Sequence, residues 1–417
     1  MAESRNDGAR DAAERVARQS YGKLIAFLAA RTGDVAGAED ALSDAFATAL
    51  ATWPNQGIPD SPEAWLMAVA KRRTIDAVRK RRTGDGAVNH LLLIADEIET
   101  SKMEQGDIPD DRLRLMFACA HPAIEQNVRA PLILQTILGF DAETIASAFL
   151  ISPASMSQRL VRAKNKITRA GIPFRVPERA ELRERLDAVL EAIYAAFAEG
   201  WGDPAGTEVR RRNLAEEGIW LGRLVASLLP DEPEALGLLA LMLHAEARRG
   251  ARRDAEGNFV PLAEQDPALW DRTLIVEAEE LLLRANELDA PGRYQYEAAV
   301  QSAHAVRSVT GTTDWHAIAT LYDALYAITE SPVVAINRAV AVARAQGPKD
   351  GLAALAALDD DPRLAEYQPY WAARADLFAL AGDRAAADEA YERAIGLEVD
   401  PAVRRFLQER RAQVAAS

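Results

Sequence analysis

Residues 141–171 read DAETIASAFLISPASMSQRLVRAKNKITRAG, and this stretch decides how the rest of the chain is interpreted. It divides into a helix, a short turn and a second helix. Ser152 followed by Pro153 is typical of an N-cap with proline at the first helical position, and Gly171 is typical of a helix end. The second helix has apolar residues at helical spacing, which predicts one buried face. Those residues are Met156, Leu160, Ala163 and Ile167. The stretch therefore predicts a helix-turn-helix.

The other side of the second helix carries short, amide and basic side chains. A helix that reads DNA needs short or amide groups near its N-terminus to reach base edges, and basic groups beside them to bind phosphates. The first role suits Ser155, Ser157, Gln158 and Arg159. The second role suits Arg162, Lys164, Lys166 and Arg169. The alternative is a basic amphipathic helix on the surface of a bundle, since charged runs are often only solvated faces.

A second basic segment, KRRTIDAVRKRR, spans residues 71–82 and follows the loop WPNQGIPDSP at 53–62. Arginine and lysine on successive helical turns can follow a phosphate backbone. Aromatic and amide side chains in a neighbouring loop are the groups that capture an unstacked base. Here they are Trp53, Asn55, Gln56 and Trp65. The alternative for Trp65, one turn into a helix, is a place in the core.

Charge is distributed unevenly along the chain. Residues 1–177 carry 23 Lys and Arg against 22 Asp and Glu, whereas residues 178–417 carry 26 against 41. The first part has a net charge of +1 and the second a net charge of −15. The acidic whole chain is thus compatible with a nucleic-acid-binding first part.

Alanine, leucine, glutamate and arginine dominate nearly throughout, and runs of alternating β-branched residues are absent, so we predict an all-α fold. We divide the chain into a helical bundle (10–82), an acidic linker (83–111), a part that holds the helix-turn-helix (112–177) and a helical array (178–417). Pro131, in the third part, is expected to start or kink a helix.

The end of the array has the residue spacing of a tetratricopeptide repeat. The positions that carry this pattern are Trp371, Ala375, Phe378, Ala387, Tyr391 and Ala394. Stacked repeats of this kind make concave surfaces that bind peptides or helices. We therefore expect a tetratricopeptide-like array with a peptide or protein ligand, while capping and solvation are the alternative roles for its polar residues.

Composition excludes several classes of protein. The single cysteine, Cys119, cannot form an internal disulfide or a cysteine-cluster metal site, and five histidines leave little room for a histidine-built one. No glycine-rich phosphate loop and no Ser-His-Asp order stands out, so we expect no cofactor, no metal and no enzymatic activity. The longest apolar stretch (235–243) is less than half a membrane span, and the N-terminus lacks an apolar signal core. We expect a cytoplasmic protein without membrane contact.

Together these features resemble the sigma-70 family of RNA polymerase sigma factors. The segment AEDALSDAFATAL (38–50), with PEAWLMAVAKRRTIDAVRKRR (62–82), is similar to region 2 of that family. The helix-turn-helix is similar to region 4. Since no region 1 or 3 domain is recognised, the layout resembles the extracytoplasmic-function group. The array after residue 177 resembles one subgroup, which has a fused C-terminal domain.

The resemblance implies partners, which are promoter DNA and two parts of core RNA polymerase, the coiled-coil of the β′ subunit and the β flap. Region 2 of the family docks on the coiled-coil, and the residues here that match the docking helix are Glu39, Asp40, Leu42, Asp44 and Phe46. The linker threads the RNA exit channel in this family, and its net charge of −7 here suits mimicry of RNA.

The resemblance also implies the DNA contacts. The loop at 53–61 would hold a flipped base of the −10 element. Promoter phosphates would be bound by Arg72, Arg73, Arg79 and Lys80. Region 4 would read the −35 element in the major groove through Ser155, Gln158, Arg159 and Arg162.

We therefore expect a transcription initiation factor whose C-terminal domain regulates the sigma core in cis. The first alternative is a stand-alone helix-turn-helix regulator with a helical-repeat sensor domain, which would bind duplex DNA without polymerase. The second is a helical-repeat scaffold whose N-terminal part only packs.

Overall fold

The structure is a computed structural model that describes residues 2–81, 111–148, 151–201 and 209–416. Within these ranges the regular structure is helical, and the only extended pairing is an isolated antiparallel bridge between Arg253 and Phe259. The all-α prediction is confirmed. None of the helices in the described ranges is long and apolar enough to cross a membrane.

The chain forms two compact units, Met1–Ala195 and Ala196–Ser417. The first unit takes in both helical parts that the sequence treated as separate, and its boundary falls after residue 195 instead of residue 177. Its helices are α1 (Ala2–Thr32), α2 (Val35–Gln56), α3 (Pro62–Arg81), α4 (Arg112–Cys119), α5 (Gln126–Leu138), α6 (Ala142–Ala148) and α7 (Pro153–Ala170). The long helix α8 (Arg179–Trp201) begins in this unit.

Helix α1 is the shared element of the first unit. It packs against α2 and α3 on the N-terminal side of the chain and against α4 and α5 from the later part. Helix α7 packs against α5, α6 and α2. The two parts that the sequence separated by a linker therefore share one helical core.

The ends of α7 are those that the sequence predicts. The Ser152 hydroxyl oxygen accepts a hydrogen bond from the backbone N–H of Ser155 at 3.3 Å, and Pro153 occupies the first turn. Gly171 ends the helix in the left-handed conformation with φ of 60°, which glycine adopts without strain. The predicted apolar face is buried along its whole length: Met156, Leu160, Ala163 and Ile167.

The structure corrects the predicted start of the loop after α2 and excludes Pro131 as a helix start. Helix α2 continues through Pro54 to Gln56 and ends at Gly57, so the loop is shorter than predicted. Helix α5 begins at Gln126 and continues through Pro131, which does not start it. A proline removes one helical hydrogen bond, and in α5 the buried residues on both sides of Pro131 favour continued packing over a helix break.

Gly22 lets α1 and α5 approach closely. A β-carbon at this position would lie 2.0 Å from the carbonyl oxygen of Ile137 and 2.9 Å from its carbonyl carbon. Both atoms are backbone, so no side chain can move aside to make room. On the preceding residue, the ring of Tyr21 lies against Gly139, the left-handed residue that ends α5.

Replacing Gly22 by alanine is expected to lower the free energy of unfolding of the first unit by about 2 kcal/mol or more, because the new methyl group must push α5 away. Gly8→Ala is the matched control, because Gly8 lies in the same helix and nothing is within 4 Å of its β-carbon position. That control is expected to gain up to about 1 kcal/mol from helix propensity. Denaturant unfolding followed by circular dichroism measures both, and equal midpoints would contradict the packing of α1 on α5 at Gly22.

The second unit continues with α9 (Val209–Leu228), α10 (Pro233–Ala247), α11 (Arg272–Glu287), α12 (Arg293–Ala305), α13 (Arg307–Thr310), α14 (Trp315–Thr329), α15 (Pro332–Gln346), α16 (Pro348–Ala356), α17 (Gln368–Ala381), α18 (Arg384–Leu397) and α19 (Pro401–Ala416). Short 3-10 turns lie at Arg249–Ala251, Leu262–Glu264, Pro267–Leu269 and Pro362–Leu364. From α14 onward, each helix packs on the next one. The cluster between α17, α18 and α19 contains the predicted Ala375, Ala387, Tyr391 and Ala394, with Trp371 and Phe378 packed against it.

Candidate functional site

Helix α7 presents most of the predicted DNA-reading residues on its open side. Its apolar face is buried against α5 and α6, which leaves the opposite face to solvent. The exposed members of the set are Ser157, Gln158, Arg162, Lys166 and Arg169, and the half-buried ones are Ser155 and Arg159. This face has the amide near the N-terminus and the cations further along, as major-groove reading requires.

A groove of about 290 Å³ lies between α7 and the N-terminal end of α5. Arg159, Arg162 and Lys166 line one side, and Glu125 and Asn127 line the other. Glu125 occupies the N-cap position of α5 but makes no capping hydrogen bond with its side chain. The positive end of α5 and three cations thus face the same space, an arrangement that favours phosphate oxygens over other ligands.

Lys164 does not lie on this face, and its predicted role in DNA binding needs correction. Its ammonium group is 2.6 Å from the Glu39 carboxylate on α2, and the two side chains are only 12% and 16% exposed. Burial raises the pKa of the Glu39 carboxyl, and the hydrogen bond from Lys164 partly offsets that rise. One turn further along α7, the Thr168 hydroxyl lies 3.4 Å from the Asp34 carboxylate. Lys164 therefore holds α7 against α2 in this arrangement.

The predicted polymerase-docking helix, α2, presents only part of its residue set. Asp40 and Asp44 are exposed, and Phe46 is half-buried. Leu42 is completely buried in the core of the unit. It is therefore not part of the contact surface, and its role is to pack α2 onto the core. Glu39 is covered by Lys164. The accessible part of the set is therefore Asp40, Asp44 and Phe46.

The predicted −10 contacts lie at the end of α2 and along α3. Asn55 and Gln56 are exposed, but they belong to the last turn of α2 and not to a loop. Trp53 is only 2% exposed, and its ring meets that of the half-buried Trp65 edge-on at 5.4 Å. Trp53 therefore belongs to the core and is removed from the candidates for base capture, whereas Trp65 is only partly covered.

Along α3, Arg72 and Arg73 are exposed and are available to phosphates. Arg79 and Lys80 belong to the final turns of α3, and their side chains lie outside the described residues.

The sequence did not predict the ion pair between Glu39 and Lys164 or the approach of α1 to α5 at Gly22. The two members of the ion pair are 125 residues apart in the chain, and each fits a different predicted surface. Gly22 interrupts a helix that is otherwise rich in good helix formers, which is a signal of close packing that could have been used.

Two parts of the chain match known families. Residues 16–83 match the family described as sigma-70 region 2, and residues 185–286 match a family of unknown function, DUF6596. The chain is 38% identical over 403 residues to an uncharacterized protein of Rhizobium meliloti (strain 1021), an alignment that covers 95% of this chain and 94% of that protein. No solved structure matches the chain.

The region 2 match covers α2 and α3, which carry the exposed acids and the exposed arginines described above, together with most of α1. Region 2 of sigma factors binds core RNA polymerase and promoter DNA, and sigma factors act in transcription initiation and are not enzymes. The chain therefore belongs to one family with the Rhizobium meliloti protein, and its sigma-70 region 2 supports a sigma factor role in transcription initiation.

Proposed function

We propose that this chain is a sigma factor of the extracytoplasmic-function type that directs core RNA polymerase to specific promoters. Region 2 would engage the −10 element, and α6 with α7 would form the region 4 helix-turn-helix that engages the −35 element. The observation that carries the proposal is the exposed face of α7, with Gln158, Arg162 and Lys166, in the same chain as a region 2 match. Such a factor works beside polymerase in the cytoplasm.

The two DNA-binding surfaces have different roles in this proposal. On α7, Ser155, Ser157, Gln158 and Arg159 would reach base edges while Arg162 and Lys166 bind phosphates. On α3 and at the end of α2, the exposed Arg72, Arg73, Asn55 and Gln56 would contact the melted strand. Arg79 and Lys80 extend the same basic run in the sequence. Trapping unpaired bases offsets the few kcal/mol that each flipped base costs.

The polymerase surface in this proposal is the exposed side of α2. Asp40 and Asp44 would meet a basic partner surface on the β′ coiled-coil, with the half-buried Phe46 beside them. Region 4 would contact the β flap. Opposite charge on the two partners speeds association and fixes orientation more than it adds affinity.

The first unit must open for this function. The −10 and −35 elements are centred roughly 25 base pairs apart, which is about 85 Å of B-form DNA. A compact unit of the size of Met1–Ala195 is roughly 40 Å across. The two regions cannot reach both elements while α1 packs on α5 and Lys164 pairs with Glu39. We therefore infer that this arrangement is the resting state and that polymerase binding separates the regions.

Run-off transcription with bacterial core RNA polymerase tests the proposed function. The template is the DNA upstream of the chain's own gene, and a defined transcript that requires the chain is expected. Core-independent binding to duplex DNA without any transcript would instead favour a stand-alone helix-turn-helix regulator. If neither the full chain nor residues 1–195 yields a transcript or binds duplex DNA, both functions are contradicted.

The second unit, a tetratricopeptide-like array in this proposal, would regulate the sigma core in cis. Its support is the fusion itself and the charge of residues 178–417, −15, which is opposite in sign to the DNA-binding faces. The comparison of the full chain with residues 1–195, the first compact unit, is the test. Equal transcript yields, with and without a peptide or protein ligand, would contradict regulation in cis.

A further inference from the structure

The second unit contains a dense cluster of arginines that the sigma function does not use. We define the arginine cluster as Arg248, Arg249, Arg252 and Arg253, which follow α10 in and around a 3-10 turn, and Arg307 at the start of α13. The sequence there is EARRGARRD, residues 246–254. This concentration of positive charge lies in the acidic part of the chain, so it needs a local explanation.

Three members of the cluster are held by neutral groups. The Arg252 guanidinium lies 3.6 Å from the centre of the Trp201 ring and donates a hydrogen bond to the Trp201 carbonyl oxygen at 2.7 Å. Arg307 donates to the backbone carbonyl oxygens of the 3-10 segment at 262–265. Arg248 donates to the His244 carbonyl and to the Gln301 side chain. These contacts fix the geometry but neutralise no charge.

Carboxylates compensate only two of the five charges among the described residues. Glu246 pairs with Arg249 at 2.7 Å, and Asp400 pairs with Arg253. Further nitrogens of these two guanidinium groups, Nη2 of Arg249 and both Nε and Nη1 of Arg253, are buried without a hydrogen-bond partner in the described part of the chain. A buried cation without compensation is costly, because water solvation is lost and nothing replaces it.

The arginines also act on one another and on nearby histidines. Burial, then the neighbouring Arg252 and Arg307, lowers the pKa of Arg248 to about 10, and burial with Arg249 and Arg253 lowers the pKa of Arg252 to about 10. Burial, then Arg248 and Arg307, also lowers the pKa of His304 to about 4. Arg248 and Arg252 therefore stay charged at neutral pH while the His304 imidazole stays neutral, so the histidine adds no positive charge to the cluster.

The excess positive charge, carried by guanidinium groups, favours a phosphate group as the ligand. Guanidinium groups present paired donors that match the oxygens of a phosphate group. Among the described residues the cluster has a surplus of three positive charges, which a doubly charged anion fits better than a chloride does. The Arg249 and Arg253 side chains keep 17% and 13% of their surface exposed, so these groups lie just below the surface, and their unpartnered nitrogens become available to an anion when the side chains turn outward. The Trp201 ring already contacts Phe197 and the Arg252 guanidinium, so it is not offered here as a platform for a nucleobase.

We propose that the arginine cluster is a binding site for a phosphate group, with Arg249 and Arg253 as the residues that contact it and Arg252 as the residue that positions them. The ligand is either inorganic phosphate or the phosphate of a small monoester. The free nitrogens of Arg249 and Arg253 would donate to its oxygens, and its charge would relieve the repulsion within the cluster. Through this site the second unit would bind a small phosphate-bearing molecule, whether that binding raises or lowers transcription.

Calorimetric titration and thermal unfolding of the full chain at constant ionic strength test the site. Inorganic phosphate is one probe and glycerol 3-phosphate the other, so tighter binding of either one identifies the source. At a concentration about a hundredfold above Kd, the unfolding midpoint of the second unit is expected to rise by about 5–10 °C, with saturation. Arg249→Gln and Arg253→Gln are each expected to weaken binding at least tenfold.

Arg411→Gln is the matched control, because Arg411 lies in the same unit and pairs with Asp388 and Glu392 away from the cluster. It is expected to bind both probes as the parent chain does. Absence of saturable binding of both probes would overturn the proposal. Saturable binding that is equally tight in the Arg249 and Arg253 variants would also overturn it. A rise in the unfolding midpoint that never saturates and is equal in all variants would overturn it too, because salts that are excluded from protein surfaces stabilise any fold.

Discussion

Replacing Arg159 and Arg162 by alanine is expected to reduce promoter-directed transcription at least 30-fold. Each contact of this kind contributes about 1–3 kcal/mol, so the loss of two contacts costs about 2 kcal/mol or more. The buried face of α7 is untouched by either substitution, so the helix should keep its packing on α5 and α6. Run-off transcription measures the loss, and circular dichroism checks that the midpoint of unfolding is retained.

A matched control separates specific contacts from a loss of positive charge. Arg114 and Arg175 are exposed arginines of the same unit, and they pair with Asp111 and Glu181 away from the α7 face. The Arg114→Ala, Arg175→Ala double variant loses the same charge and is expected to transcribe within about twofold of the parent chain. The buried Asp111 keeps Arg31 as a partner, and the exposed pair of Arg175 with Glu181 contributes little. Equal losses in the two double variants would contradict promoter reading by α7.

Joining α2 to α7 covalently is expected to abolish transcription altogether. Glu39→Cys with Lys164→Cys places two thiols where the side chains now meet at 2.6 Å, within reach of a cleavable thiol-specific crosslinker. A crosslinked chain cannot separate its regions to span both promoter elements, so the transcript should disappear and return after cleavage. Run-off yield before and after cleavage is the measurement.

The native cysteine does not interfere with this experiment. Cys119 is fully buried, burial raises the pKa of its thiol to about 12, and the sulfur lies 3.6 Å from the Thr136 hydroxyl. The unreactive thiol leaves the two introduced cysteines as the sites of reaction. Each single cysteine variant, treated with the same reagent, is the control for modification alone. Full transcription by the crosslinked chain would show that the resting arrangement is also the active one.

Much of the fold could be predicted because its signals are local. The N-cap at Ser152, the end at Gly171 and the apolar stripe of α7 each depend on residues within a few turns, and all of them are confirmed. The packing of α17 on α18 was predictable in the same way, because small and bulky residues alternate along the two helices. Where a local signal was misread, as at Pro54 and Pro131, tertiary packing outweighed the cost of one hydrogen bond.

The candidate site was predictable in its residue types but not in its accessibility. Leu42 belongs to the set that the family resemblance places on the docking helix, yet its apolar side chain is buried where α2 meets its neighbours. Lys164 lies among DNA-binding cations in the sequence but faces α2, because it is on the side of α7 that turns inward. Which basic residue faces a partner and which faces the protein depends on contacts over more than 100 residues of sequence.

The packing of α1 on α5 also has a consequence for synthesis on the ribosome. The strip of α1 around Tyr21 and Gly22 has its partner only after α5 has emerged, near residue 138. At ordinary elongation rates the chain between the end of α3 and the end of α5 takes on the order of 3–11 s to make. During that interval the nascent chain carries an uncovered helical strip. A chaperone that meets the chain at this stage would therefore bind α1, and mutations that slow the arrival of α5 would reduce the yield of folded protein before they alter any finished molecule.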